Sequence, residues 1–156
     1  MNERWRAVGV LAGALFAVNV VARLVIRFGF GGGDDETAAG WVSLAMFAVI
    51  GVVLATLAFR WGRDRPVERW GTDLGAAVLV ALLLTVFVGP LLVGRNPFAD
   101  GAGAFFAQIW LYLAAAGVGV LVGFLVLTAL GRDHRSRQLA RYAAQRTTRP
   151  RRVVGR

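Results

Sequence analysis

Residues 74–94 read LGAAVLVALLLTVFVGPLLVG, twenty-one consecutive positions without a charge. At 1.5 Å per residue a helix of that length spans about 30 Å, the hydrocarbon thickness of a bilayer, so the run reads as a transmembrane helix rather than a buried core helix. Pro90 lies near its far end, where a missing main-chain donor is tolerated because little helix remains beyond it. Thr72 and Asp73 open the run. An acid at a helix start complements the exposed N–H groups and the dipole, so Asp73 is expected to cap the span rather than to carry protons.

Upstream, residues 60–71 carry Arg60, Arg63, Asp64, Arg65, Glu68 and Arg69 and connect this span to a second apolar run, residues 41–59. Only Ser43 and Thr56 interrupt that run, and both hydroxyls are expected to bond a carbonyl one turn back. Before it, residues 29–40 hold three consecutive glycines followed by Asp34, Asp35 and Glu36, a loop composition. Residues 7–26 form a further span, apolar except for Asn19 and Arg23. Downstream, Arg95-Asn96-Pro97 reads as a stop and turn, and residues 104–130 form the last span, long enough to require tilt. Gly131-Arg132-Asp133 ends it. The expected fold class is an all-α membrane protein: a four-transmembrane-helix bundle in residues 1–131, with spans at about 7–26, 41–59, 74–94 and 104–130, and a basic tail in residues 132–156. Within the tail, residues 135–146 are expected to form a short helix carrying Leu139 and Tyr142, and residues 147–156 to be disordered.

The arginines orient the bundle. Arg4, Arg6, Arg60, Arg63, Arg65, Arg69 and nine arginines of the tail, fifteen in all, fall on one side, and Arg23, Arg27 and Arg95 on the other. Basic loops are retained in the cytoplasm, so both termini are expected there, in a multi-pass protein of the cell membrane. Trp5, Trp61 and Trp70 are expected at the cytoplasmic interface and Trp41 and Trp110 at the outer one. The basic start and the Val20-Val21-Ala22 sequence also resemble a signal peptide, but the apolar run continues past Ala22 and contains Arg23, which favours an uncleaved anchor.

The two halves echo one another. Glu3-Arg4-Trp5 matches Glu68-Arg69-Trp70, Leu24-Val25-x-Arg27-x-x-Phe30 matches Leu92-Val93-x-Arg95-x-x-Phe98, and Trp41 precedes Gly62-Arg63-Asp64 by the spacing that separates Trp110 from Gly131-Arg132-Asp133. Two explanations stand: a tandem duplication of a two-helix hairpin, which would relate the copies by a pseudo-twofold along the membrane normal, or boundary residues gathering at boundaries in a biased composition. Gly9 with Gly13, Gly51 with Ala55, Gly71 with Gly75 and Gly119 with Gly123 place small residues four apart, suited to close helix packing within the bundle or between protomers.

Asn19, Arg23 and Arg27 fall at i, i+4 and i+8 and share one helix face. With Arg95 at the same boundary, they form a candidate site for a phosphate, a carboxylate or a lipid headgroup, and the competing explanation is that Arg23 and Arg27 snorkel to the interface. Gln108 and Tyr112, one turn apart, are expected to pack against neighbouring helices. In the tail, Arg132, Arg135, Arg137 and Arg141 are the candidate contacts to anionic lipid; no recognition fold accompanies them that would point to nucleic acid. The Asn96-Pro97-Phe98-Ala99-Asp100-Gly101 loop is built of routine turn formers.

The 156 residues are 57% hydrophobic and 17% charged, and include no Cys, no Lys and one His. Disulfides, thiolate metal sites, Schiff-base chemistry and paired-histidine ligation are outside the means of this chain alone, and no cofactor or metal is expected. Two serines, a single His134 in the tail and no carboxylate pair within a span leave no catalytic inventory. The function expected is that of a non-catalytic accessory or assembly subunit of a larger membrane complex. The alternative is a small oligomeric transporter or channel for an anionic solute or lipid.

Overall fold

The computed structural model describes residues 3–30, 36–132 and 134–148, with the backbone alone for residues 134, 135, 141 and 145–148. Among the described residues there are six α-helices: α1 (Glu3–Gly29), α2 (Glu36–Asp64), α3 (Val67–Leu83), α4 (Gly89–Leu92), α5 (Gly101–Ala129) and α6 (His134–Thr148). A π-helical turn, Leu84–Val88, joins α3 to α4, so these form one continuous rod from Val67 to Leu92. Four helices are therefore long and apolar enough to cross a membrane, the architecture of a multi-pass membrane protein. The first three run past the apolar stretch that marks each in the sequence and into charged residues at the basic end, and α5 starts three residues early, at Gly101.

The rods alternate in direction. The starts of α1 and α3 meet the ends of α2 and α5 at one end, where Arg4 pairs with Asp73 and Arg137 of α6 reaches Asp64. This basic end also carries Arg6, Arg60, Arg63, Arg65, Arg69 and Arg132; Arg23, Arg27 and Arg95 lie at the opposite end. Lipid tails are as apolar as leucine, so helix association in a bilayer rests on close packing and polar contacts rather than on hydrophobic transfer. The parallel pair α2 and α5 packs most extensively of all. Gly51 and Ala55 of α2 lie against Gly119 and Gly123 of α5, and a Cβ built at Gly119 or Gly123 would overlap the carbonyl of Gly51 or Ala55. Of the four small-residue pairs, these two engage each other within the chain. Gly9, Gly13, Gly71 and Gly75 face open space.

The rod α3–α4 is the most enclosed, with half of its apolar window buried against 22–28% for the other three. Its Leu74, Ala77 and Ala81 pack in a core with Leu15, Ile50, Leu54 and Tyr112. Trp70 belongs to this core as well, 3% exposed and 6.0 Å from the ring of Phe124, so at the basic end its ring faces protein rather than the surroundings. Trp5, Trp41 and Trp110 are exposed. Ser43 and Thr56 donate to Ala39 and Val52 one turn back, the intrahelical bonds their spacing predicts.

The repeated motifs adopt different local structures. Gly94 and Gly131 both end helices with positive φ, in Schellman motifs closed by Arg95 N–H to Pro90 C=O and by Arg132 N–H to Leu127 C=O. Their counterparts differ: Gly62 is buried inside α2, and α1 runs unbroken through Arg27 to Gly29.

Candidate functional site

The polar face of α1 meets the third rod where that rod breaks. Pro90 has no N–H, and ahead of it the Gly89 N–H donates to Leu84 C=O, five residues back, instead of to Thr85. The Thr85 carbonyl therefore loses its α-helical donor to the π-turn, and the next residue has none to offer. Arg23 Nη2 takes that place, 3.4 Å from Thr85 O, while its Nε donates to Asn19 Oδ1 at 2.8 Å. Asn19, 2% exposed, donates in turn from Nδ2 to Met46 Sδ at 3.0 Å. Gly89 makes room for this pair: a Cβ there would stand 3.0 Å from Arg23 Nε and 3.4 Å from Asn19 Oδ1. One turn further along α1, Arg27 Nη1 donates to the carbonyl of Val93, the C-cap residue that the Schellman motif leaves open. The i, i+4, i+8 spacing thus places three side chains against one broken helix end. Arg23 is turned into the bundle rather than lifted away from it, and snorkelling does not describe it.

Arg95 lies beside this cluster in the following loop and pairs with Asp100 at 3.4 Å, both side chains more than half exposed. Asn96 Oδ1 accepts from Phe98 N–H in an Asx turn, and Phe98, itself exposed, stacks on Phe105 with centroids 4.8 Å apart. Between α1, α2 and α5, a cavity of about 370 Å³ is lined by Asn19, Arg23, Ser43 and Gln108 together with apolar residues including Phe47 and Leu111. The Gln108 side chain makes no hydrogen bond among the described residues.

A second polar network closes the basic end. Asp73 lies in the second turn of α3, beyond the reach of a cap, and Pro66 occupies the N-cap position. The expected capping role is therefore corrected. The Asp73 carboxylate, 6% exposed, accepts from Arg4 Nε at 2.6 Å and stands 3.9 Å from Arg65. Arg4 also donates to Thr72 Oγ1 at 3.2 Å, and Arg65 lies over the ring of Trp61. A cavity of about 580 Å³ opens beside them, lined by Glu3, Arg4, Trp61, Arg65, Arg69 and Asp73. Sequence reasoning passed over this cluster, because Arg4 counted only as an orienting charge. The signal available was the matched Glu3-Arg4-Trp5 and Glu68-Arg69-Trp70, which sets the starts of the first and third spans side by side.

Of the candidate residues, Asn19, Arg23 and Arg27 come together on one seam, with Arg95 next to it. In the tail, Arg132 is exposed and donates its main-chain N–H to Leu127, and Arg137 reaches Asp64 at 3.4 Å. Arg135 and Arg141 sit on α6, their side chains outside the described residues, as are residues 149–156 and the acidic loop residues Asp34 and Asp35. Tyr112 is fully buried, and its hydroxyl makes no hydrogen bond among the described residues. Comparison of the chain with protein-family models, with curated proteins and with solved structures gives no match.

Proposed function

We propose that this protein is a non-catalytic subunit of the cell membrane that works through its surfaces, as an accessory or assembly component of a larger membrane complex. The observation that carries this reading is the use made of its intramembrane polar groups. Arg23 through Nε and Nη2, Arg27 through Nη1 and Asn19 through Nδ2 all donate to the protein's own main chain and side chains, which is what a scaffold requires. Around them, large apolar side chains such as Leu44, Val52, Leu111 and Val118 are left uncovered. The orientation proposed puts both termini and α6 in the cytoplasm, on the strength of the arginine imbalance between the two ends. There the tail arginines, Arg132, Arg135, Arg137 and Arg141 among them, would contact anionic lipid headgroups. A duplicated hairpin as the origin of the bundle rests on the matched sequence anchors and on the pairing of corresponding helices, α1 with α3 and α2 with α5.

One observation favours a second reading, a small oligomeric transporter or channel for an anionic solute or lipid: the 370 Å³ cavity that brings Arg23, Asn19 and Gln108 to the α1–α2–α5 seam. Extraction from the native membrane into nanodiscs, followed by mass spectrometry of whatever travels with the chain, separates the two. A stoichiometric protein partner is the expected result. A homo-oligomer that exchanges an anionic solute in liposomes would reject the accessory reading and favour the second.

A further inference from the structure

The polar cavity has an apolar neighbour. Phe47 and Leu111 also line an apolar groove of about 590 Å³ that follows the outer seam between α2 and α5, so the two spaces adjoin at these side chains. Small residues floor the groove: Gly51, Ala55 and Gly119, the residues that let the two helices approach, leave a trough where side chains would otherwise stand. Along α5 it runs from Leu111 to Val122. That is about 16 Å at 1.5 Å per residue, close to the half-thickness of a 30 Å hydrocarbon core and so to the depth of one leaflet. The polar part lies toward the end of the bundle that carries Arg27 and Arg95, and the apolar part continues toward the bilayer centre, the order in which a lipid presents headgroup and tail.

The headgroup end carries unspent capacity. Arg23 uses Nε and Nη2 within the fold, and its Nη1 makes no hydrogen bond among the described residues; the same holds for the Gln108 amide one helix away. A guanidinium at this depth gains from an anion beside it, and a phosphate oxygen accepts from both donor types. We infer that this composite cleft holds one anionic phospholipid, its phosphate against Arg23 and Gln108 and one acyl chain in the α2–α5 groove. Free phosphate would leave the groove empty, and a second copy of this chain laid on the same seam would cover residues 48 and 114, an outcome that labelling of those positions distinguishes. The inference rests on the cavity and on neither functional reading, because a resident lipid fits an accessory subunit and a transporter equally. Its failure would leave the partner experiment above unaffected.

The test uses the full chain, reconstituted with phosphatidylglycerol or phosphatidylcholine, stripped in detergent and weighed intact. The wild-type chain is expected to keep one phosphatidylglycerol; phosphatidylcholine offers the same phosphate but its trimethylammonium group offsets the charge facing Arg23, and it is expected to be retained at least about tenfold less. Ala48→Phe on α2 and Ala114→Phe on α5 replace exposed groove alanines and so test tail binding independently of each other and of the core packing. Gln108→Leu tests headgroup binding. Each is expected to lower phosphatidylglycerol retention about tenfold, while Val10→Phe, exposed on α1 and outside both spaces, leaves it unchanged. Equal retention of the two lipids, full retention in both groove-filled variants, protection by inorganic phosphate alone, or a dimer that shields residues 48 and 114 from labelling would each overturn the inference.

Discussion

Replacing Gly123 with alanine isolates the packing that holds this bundle together. The added Cβ meets the O, C and Cα atoms of Ala55, all main chain, and at Gly119 the corresponding atoms of Gly51. No rotamer relieves such an overlap, so α2 and α5 must separate along their seam, at the cost of about 1–3 kcal/mol that overpacking typically carries. Alanine also restores helix propensity, worth about 1 kcal/mol relative to glycine in water. That gain is shared by Gly71→Ala and Gly9→Ala, where the new methyl meets nothing within 4 Å. It therefore cancels in the comparison: Gly119→Ala and Gly123→Ala should each fall about 1–3 kcal/mol below the two controls, the overpacking term alone. Unfolding in mixed micelles by added SDS reads this directly, through the fluorescence of Trp70, which is buried against Phe124 near the same seam. Four variants of indistinguishable stability would refute the assignment of the α2–α5 contact as the tightest in the bundle.

Arg4→Ala and Asp73→Ala should each destabilise the chain, and their double-mutant cycle should show a coupling of about 1 kcal/mol, moderated by the half-exposed Arg4; strict additivity would show that the pair is idle. Arg23→Ala strands the Thr85 carbonyl and should cost about 1–3 kcal/mol, and the cost should shrink in a Pro90→Ala background, where a main-chain donor becomes available again. An undiminished cost in that background would disprove the substitution of a side-chain donor for a main-chain one. The chain has no cysteine, so single cysteines report orientation cleanly: Ala99→Cys should react with an impermeant maleimide on intact cells and Ala140→Cys only after permeabilisation, and the reverse pattern would invert the proposed topology.

The spans were legible because a bilayer imposes one requirement, about twenty apolar residues in a row, and local composition answers it. Their limits were less so: α1, α2 and α3 extend into charged residues at the basic end, since a helix continues beyond the hydrocarbon wherever its main chain is satisfied. Asp73 illustrates the next level of difficulty. Its place just ahead of an apolar run suggests a cap, but Pro66 starts the helix earlier, and once Asp73 lies inside α3 its carboxylate needs a cation from another helix. Which cation depends on α1 lying beside α3, a tertiary fact that no local pattern encodes.

The arginine face of α1 is harder still to read from local pattern. Spacing alone identifies Asn19, Arg23 and Arg27 as one surface, but not what the surface meets, because the partners are main-chain carbonyls and carbonyls have no letter in a sequence. Pro90 is nevertheless visible, and a proline in the last turns of a span always deprives an upstream carbonyl of its donor. In hydrocarbon that carbonyl must find another donor within the protein, and a basic residue at matching depth on a neighbouring span can supply it. Read together, Pro90 on the third span and Arg23 on the first form a complementary pair, deficit and donor at the same level of the membrane. Neither residue alone distinguishes this arrangement from a ligand site. The same geometry leaves Arg23 with Nη1 still to spend, so a structural role for its other two nitrogens and a lipid phosphate at the third are parts of one arrangement rather than rival explanations.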